Sequence, residues 1–103
     1  QTDEAIVIGR ADWSVIGGFN DWNGDLVMFE MEENGYSTSL ILSDASEIKI
    51  RKDRGWDINR GGNMTKFGVP FAVENNGGNI SLEAGTYYIE YDCVKDEITI
   101  YND

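Results

Sequence analysis

Short apolar runs alternate with clusters of Gly, Asn and Asp along the whole chain, and this pattern constrains the fold more than any other feature. Gly and Asn tolerate the positive φ angles of tight turns, and short runs bounded by such turns are typical of β-strands. No window of about a dozen residues has helical periodicity with caps, so we expect almost no helix. The predicted strands are Glu4–Ile8, Trp13–Ile16, Leu26–Glu32, Tyr36–Leu42, Glu47–Lys52, Asn79–Leu82, Thr86–Cys93 and Glu97–Tyr101.

Two of these predicted strands alternate clearly between apolar and polar residues. In residues 47–51, Ile48 and Ile50 point to one face and the charged residues point to the other. The same alternation along residues 87–93 places Tyr87 and Ile89 on one face. Dense turns and period-two alternation together predict an all-β sandwich of two mainly antiparallel sheets. Its predicted core includes Phe19, Ile48, Ile50, Tyr87, Ile89 and Ile100.

The charge balance excludes several classes of partner. The chain has 103 residues, which suits one domain, and it carries 8 Lys and Arg against 19 Asp and Glu, for a formal net charge of −11. Such a surface repels phosphate backbones and anionic lipids, so we expect no nucleic acid partner and no direct membrane contact. A neutral ligand, a cation or a protein remains open. We expect any targeting or membrane-anchoring segment to lie outside this fragment.

Few residues are suited to catalysis or to metal binding. Histidine is absent and Cys93 is the single cysteine, which excludes a Cys–His dyad, a thiolate zinc cluster and an internal disulfide. The sequence pattern does not identify any two carboxylates as buried or as facing each other, as an acid/base pair would require. We interpret Asp25 and Asp57 as turn residues. The pair Gly61-Gly62 lacks the spacing of a phosphate-binding loop. We therefore expect a protein that is not an enzyme, with no catalytic residue, no cofactor and no metal site.

Two of the three tryptophans lie among turn residues. Trp22 is in the segment 17–24, and Trp56 follows Gly55 at the start of the irregular stretch 55–78. An indole on a loop is a good platform for a sugar ring, because its π-face attracts axial C–H groups and offers dispersion contacts. The alternative is that these indoles plug the ends of the sandwich. We assign Trp13, which lies in a predicted strand, to the core.

Polar side chains suited to sugar hydroxyls lie close to these indoles in the sequence. Lys49 and Arg51 share one face of a predicted strand that leads towards Trp56, and each presents several N–H donors. Asn59 and Asn79 would add amide donors and acceptors. The alternatives are salt bridges for the two cations and turn geometry for the two asparagines.

At Gly18-Phe19-Asn20-Asp21-Trp22 the sequence resembles the G-x-F-N-x-W turn of carbohydrate-binding modules that recognise α-glucans. It is more similar still to the domains of the SusE/SusF family, starch-binding outer-membrane lipoproteins of Bacteroidota. The matching segments are Trp13 to Trp22, Ile48 to Gly62, Gly77 to Ile80 and Gly85 to Asp92. Their order and spacing extend the resemblance from about Ala11 to Tyr101.

This resemblance implies an immunoglobulin-like antiparallel β-sandwich with a non-catalytic α-glucan site. By family resemblance, Trp22 and Trp56 are the two aromatic platforms that follow the curve of an α-1,4-glucan. The residues Lys49, Arg51 and Asn79 are the implied hydrogen-bond partners of the 2- and 3-hydroxyls, and Asn59 is a further candidate. The implied location is the extracellular side of the outer membrane, in a role in polysaccharide utilisation.

Three hypotheses therefore stand. The first is a single carbohydrate-binding module, residues 1–103, from a longer multidomain surface protein, which binds starch-like α-glucan or maltooligosaccharide beside other outer-membrane glycan-uptake proteins. The second is a structural immunoglobulin-like spacer, which requires buried Trp22 and Trp56. The third is a module for another neutral glycan, which a flat rather than angled aromatic arrangement would favour.

Overall fold

The computed structural model describes residues 9–32 and 35–102, and this part of the chain is built almost entirely of strands. The one helical element in it is a 3₁₀ turn at Gly18–Asn20. The predicted strand Glu4–Ile8 lies outside the described residues. In chain order, β1 to β9 are Gly9–Gly17, Leu26–Glu32, Gly35–Leu42, Ser46–Lys52, Asn59–Arg60, Phe71–Ala72, Ile80–Leu82, Gly85–Asp92 and Glu97–Asn102.

The strands pair antiparallel throughout in the order β5-β4-β1-β2-β3-β8-β9-β6, and β7 also pairs with β4. The hydrogen-bonded ladder is continuous, but its register shifts between Arg10 and Ser14 in β1 and between Glu30 and Glu32 in β2. Such irregularities bend a sheet and increase its twist, which lets one ladder fold over on itself. The result is two antiparallel sheets packed together, and the predicted all-β sandwich is confirmed.

The core lies between the two sheets and takes apolar residues from both. Ile48 and Ile50 of β4 pack in one cluster with Ile89 and Ile100 from the other half of the ladder. Trp13 belongs to this core, as predicted, and its ring lies 4.9 Å from that of Tyr91.

One predicted core residue is wrong. Phe19 is 36% exposed, because it lies in the 3₁₀ turn beyond the end of β1 instead of in a strand. The other predicted core residues, Ile48, Ile50, Tyr87, Ile89 and Ile100, are all buried.

One edge of β4 is shared by two short strands, and this arrangement positions the candidate site. Strand β7 pairs with Ser46–Ile48, and β5 pairs with Ile50 and Arg51 further along the same strand. The loops around β5 and β7 meet closely, since a Cβ on Gly77 would lie 2.1 Å from the Gly61 carbonyl oxygen. The two glycines thus permit close backbone contact between these loops.

Candidate functional site

The outer face of β4 carries the candidate site. Ile48 and Ile50 turn into the core, so Glu47, Lys49 and Arg51 point to the opposite face. Ile16 of β1 lies directly opposite Lys49 and is fully buried. Burial lowers the pKa of the Lys49 ammonium from its usual value. No hydrogen bond or ion pair joins this ammonium to another residue of the described part of the chain.

Arg51 is bound from within the protein. Its Nε and Nη2 atoms donate to Oδ1 and Oδ2 of Asp25, each over 3.1 Å, and the two side chains are 11% and 4% exposed. This bidentate geometry fixes the guanidinium plane. Sequence reasoning interpreted Asp25 as a turn residue; it instead holds the cation that lies beneath one of the indoles.

Trp56 lies over both cations of β4. The Arg51 Cζ atom is 4.9 Å from its ring centroid, and the Lys49 Nζ atom is 5.9 Å from it. Both distances fall within the range of cation–π attraction. The indole is still 45% exposed, so it presents ring surface to solvent while the fixed guanidinium holds it from below.

A different loop supplies Trp22. The 3₁₀ turn follows β1 directly, and residues 21 and 22 both have left-handed backbone angles, with φ of 57°. The Trp22 N–H donates to the Gly17 carbonyl over 2.9 Å, and the Gly17 N–H donates to Asn20 Oδ1 over 3.1 Å. The Asn20 side chain also donates to the Gly24 carbonyl. Asn20 therefore holds both ends of the loop that presents Trp22.

The two indoles form one surface, which we call the indole pair. Their ring centroids are 6.2 Å apart, and their planes are inclined at 43°. Trp22 is half-buried and Trp56 is exposed. The residues Trp22, Lys49, Arg51 and Trp56, which sequence reasoning selected from two distant segments, are thus brought together at one place.

Asn79 extends this surface along β4. Ile80 pairs with Ile48, so the antiparallel register places Asn79 opposite Lys49 at the next step. Its amide Nδ2 donates to Glu47 Oε1 over 3.0 Å, and both side chains are exposed. Glu47, which sequence reasoning did not select, adds a carboxylate acceptor beside the cation and the amide.

Asn59 has a different environment. It is almost fully buried, its Nδ2 donates to the Trp56 carbonyl and to Asn76 Oδ1, and its Oδ1 accepts from the Asn76 N–H. Its own N–H donates to Asn75 Oδ1. Asn59 therefore joins the loop that carries Trp56 to the loop that precedes β7, and its amide does not face solvent.

Other kinds of site are not evident in the described part of the chain. Residues 9–32 and 35–102 contain no group of three or more acidic, cysteine or histidine side chains that could hold a metal ion. Within the same ranges, no helix is long and apolar enough to cross a membrane.

The fold and the surface site define a β-sandwich with an exposed, tilted aromatic pair beside polar side chains. Among solved structures, SusF from Bacteroides thetaiotaomicron is similar, with 21% identity and a TM-score of 0.65 over 87% of this chain. The chain thus has a SusE/SusF-like fold, as the sequence motifs predicted. It spans 23% of the length of SusF. No family model matches the chain, and no curated protein sequence matches it.

Proposed function

We propose that this chain is a non-catalytic module that binds starch-like α-1,4-glucan at the indole pair. The observation that carries this proposal is the 43° inclination of two accessible indoles whose centroids are 6.2 Å apart. Two inclined rings suit a chain that curves from one sugar to the next, as an α-1,4-glucan does. A flat glycan such as a β-glucan or xylan would favour coplanar rings.

The polar residues beside the pair suit the hydroxyl groups of such a ligand. Lys49 supplies up to three N–H donors without a competing partner in the described residues, and Asn79 and Glu47 supply an amide and a carboxylate. Together they match vicinal hydroxyls, each of which both donates and accepts. In this proposal Arg51 and Asn59 are positioning residues, because Arg51 supports the Trp56 ring and Asn59 fixes its loop.

The charge of the chain supports a neutral ligand. With a net charge of −11, the protein repels uronic-acid polymers and sulfated glycans, whereas starch carries no charge. Few ionic contacts would form with such a ligand. We therefore expect its affinity to change little with added salt.

We further propose that the chain is one domain of a longer cell-surface protein of the outer membrane, anchored by a segment outside this fragment. Its similarity to about a quarter of SusF supports this setting. There the module would hold polysaccharide near other outer-membrane proteins of glycan uptake. A single shallow site binds weakly, and neighbouring modules would add avidity through effective concentration.

Calorimetric titration with maltoheptaose, beside a thermal melt of each variant, tests the proposal. Trp22→Ala and Trp56→Ala should each weaken binding by roughly 1–3 kcal/mol, the scale of a lost stacking surface. Lys49→Ala should cost roughly 0.5–2 kcal/mol, because water partly replaces its hydrogen bonds. Lys66→Ala, which removes an exposed cation from another loop, is the matched control and should bind as the parent does.

Each contrary outcome points to a different alternative. Folded tryptophan variants that bind maltoheptaose as the parent does would place the site elsewhere. A parent that binds no α-glucan but binds another neutral glycan would keep the module and change its ligand. Tryptophan variants that unfold, with a parent that binds no glycan, would favour the structural spacer.

A further inference from the structure

A second aromatic pair lies on the outer face of the other half of the ladder. Strands β3, β8 and β9 are neighbours, and their register places Ser39, Tyr88 and Tyr101 in one row across the three strands. The residues adjacent to Tyr88 along β8, Tyr87 and Ile89, turn into the core. Tyr88 and Tyr101 therefore point to solvent, and they are 36% and 42% exposed.

The geometry of this tyrosine pair closely matches that of the indole pair. The ring centroids of Tyr88 and Tyr101 are 6.2 Å apart and their planes are inclined at 41°, against 6.2 Å and 43° for Trp22 and Trp56. The two pairs come from unrelated segments and lie on different faces of the sandwich. By separation and inclination, the second pair offers a curved ligand the same kind of stacking surface as the first.

The charges on this face indicate which ligands it accepts. Strands β3, β8 and β9 contain no lysine and no arginine. Glu90 is two residues after Tyr88 in β8 and therefore lies on the same face. Interaction with the Glu90 carboxylate raises the pKa of the Tyr101 phenol, a group that is neutral at physiological pH even at its ordinary pKa. Phenol, serine and carboxylate groups on these three strands suit the hydroxyl groups of a neutral ligand better than an anion.

We propose that Tyr88 and Tyr101 form a second binding site for a neutral glycan, with Glu90 and Ser39 as hydrogen-bond partners. This site extends the proposed function to a second face, and it shares no residue with the indole pair. One module would then hold two glycan chains, or two segments of one chain, on its two sides. Tyr is smaller than Trp, and the three strands of this face carry no lysine to act as Lys49 does at the indole pair, so the second site should be the weaker one.

Amide NMR spectra of the chain, titrated with maltoheptaose, test this inference directly. The parent should show two separate groups of shifted resonances, one around Trp22, Lys49 and Trp56, and one around Tyr88 and Tyr101. The double variant Trp22→Ala/Trp56→Ala should lose the first group and keep the second. On that background, Tyr101→Ala should weaken the residual binding by about 2- to 12-fold, the scale of one aromatic contact.

Two further variants separate ligand binding from sheet stability, because facing tyrosines also stabilise a sheet. Tyr101→Phe keeps the ring and should keep most of the residual affinity. Ile41→Ala removes an exposed apolar side chain from β3 on the same face and should leave the affinity unchanged.

The outcomes distinguish this inference from the proposed function. Shifts confined to the indole pair at saturating maltoheptaose would overturn the second site and leave the proposed function intact. Shifts confined to Tyr88 and Tyr101 would support the second site and contradict the first. An absence of shifts at both places would overturn both, and the tyrosine pair would then be a feature of the sheet alone.

Discussion

The ion pair between Arg51 and Asp25 should couple the stability of the domain to the surface that carries the indole pair. Asp25→Ala removes the carboxylate and leaves the guanidinium largely shielded from water and without its partner. Arg51→Met keeps an apolar side chain beneath Trp56 but leaves the carboxylate of Asp25, which is 4% exposed, without its cation. Each single substitution should therefore lower the free energy of unfolding by more than half of the loss in the double variant.

The magnitude follows from the geometry of the pair. Two charge-assisted hydrogen bonds of 3.1 Å are lost in either single variant, and removing one partner of a buried pair costs about 3–5 kcal/mol. The Arg51 side chain is 11% exposed, so water reaches it in part, and we expect the lower end, about 3 kcal/mol. For a domain of this size that lowers Tm by roughly 12–24 °C. The free energy of unfolding of the double variant should fall by about 4 kcal/mol. This is about 2 kcal/mol less than the two single losses together, and that difference is the coupling energy.

Urea titration of the parent, both single variants and the double variant gives the free energy of unfolding of each, and these four values form a double-mutant cycle. Equal m-values are the check that unfolding stays two-state. Asp57→Ala removes the same charge from an exposed position and should change the free energy of unfolding by less than about 0.5 kcal/mol. Additive losses in the double variant would refute the reasoning. A loss in Asp57→Ala as large as that in Asp25→Ala would refute it too, since net charge alone would then explain the effect.

Three further predictions concern the supports of the site and the core. Gly17→Ala should destabilise the domain by roughly 1–3 kcal/mol, because its Cβ would lie 2.2 Å from the Glu47 carbonyl oxygen, whereas Gly24→Ala meets ordinary contacts and should be tolerated in a thermal melt. Asn59→Ala should cost about 1–3 kcal/mol of stability in urea, since it removes a buried amide together with its hydrogen bonds to the Trp56 carbonyl and the Asn76 N–H. Burial, with a hydrogen bond to Asp96, raises the pKa of Tyr91. The unfolded chain therefore releases this proton first, stability should fall above about pH 10, and Tyr91→Phe should show a smaller fall between urea titrations at about pH 8 and pH 11.

Most of the strand pattern was predictable because alternation and turn residues report it directly. The predicted bounds of β2 match the structure, and those of β3, β4, β7, β8 and β9 differ by one residue at one or both ends. The strands β5 and β6 were not predicted, since two residues are too few to show alternation. The wrong prediction for Phe19 has a similar cause. Phe19 lies in a short turn, where no alternation of apolar and polar residues shows which side chains face the core.

The proximity of Trp22, Trp56 and the two cations of β4 was predictable from sequence, but the partners of each side chain were not. Sequence position shows that Lys49 and Arg51 share a face, but it does not show that Asp25 neutralises one cation and leaves the other without a partner. Asp25 is separated from Arg51 by 26 positions, and only the pairing of β1 with both β2 and β4 brings the two together. Asn59 and Asn79 are equally polar in sequence, yet one is buried and the other exposed.

Under the proposed function, this division of roles would let the outer face of β4 be both rigid and able to bind a ligand. A surface of flexible side chains would lose conformational entropy when a ligand orders it, which would reduce affinity. Here Asp25 fixes Arg51, Arg51 supports Trp56, and Asn59 holds the Trp56 loop, so the ring is already in place before a ligand arrives. The groups left with free hydrogen-bonding capacity are those at the edge of the indole pair, Lys49, Asn79 and Glu47. If the proposed function holds, stability and binding draw on different residues of one surface. Lys49→Ala should then weaken binding with little change in Tm, whereas Asn59→Ala should lower Tm more than it changes the affinity of the folded protein.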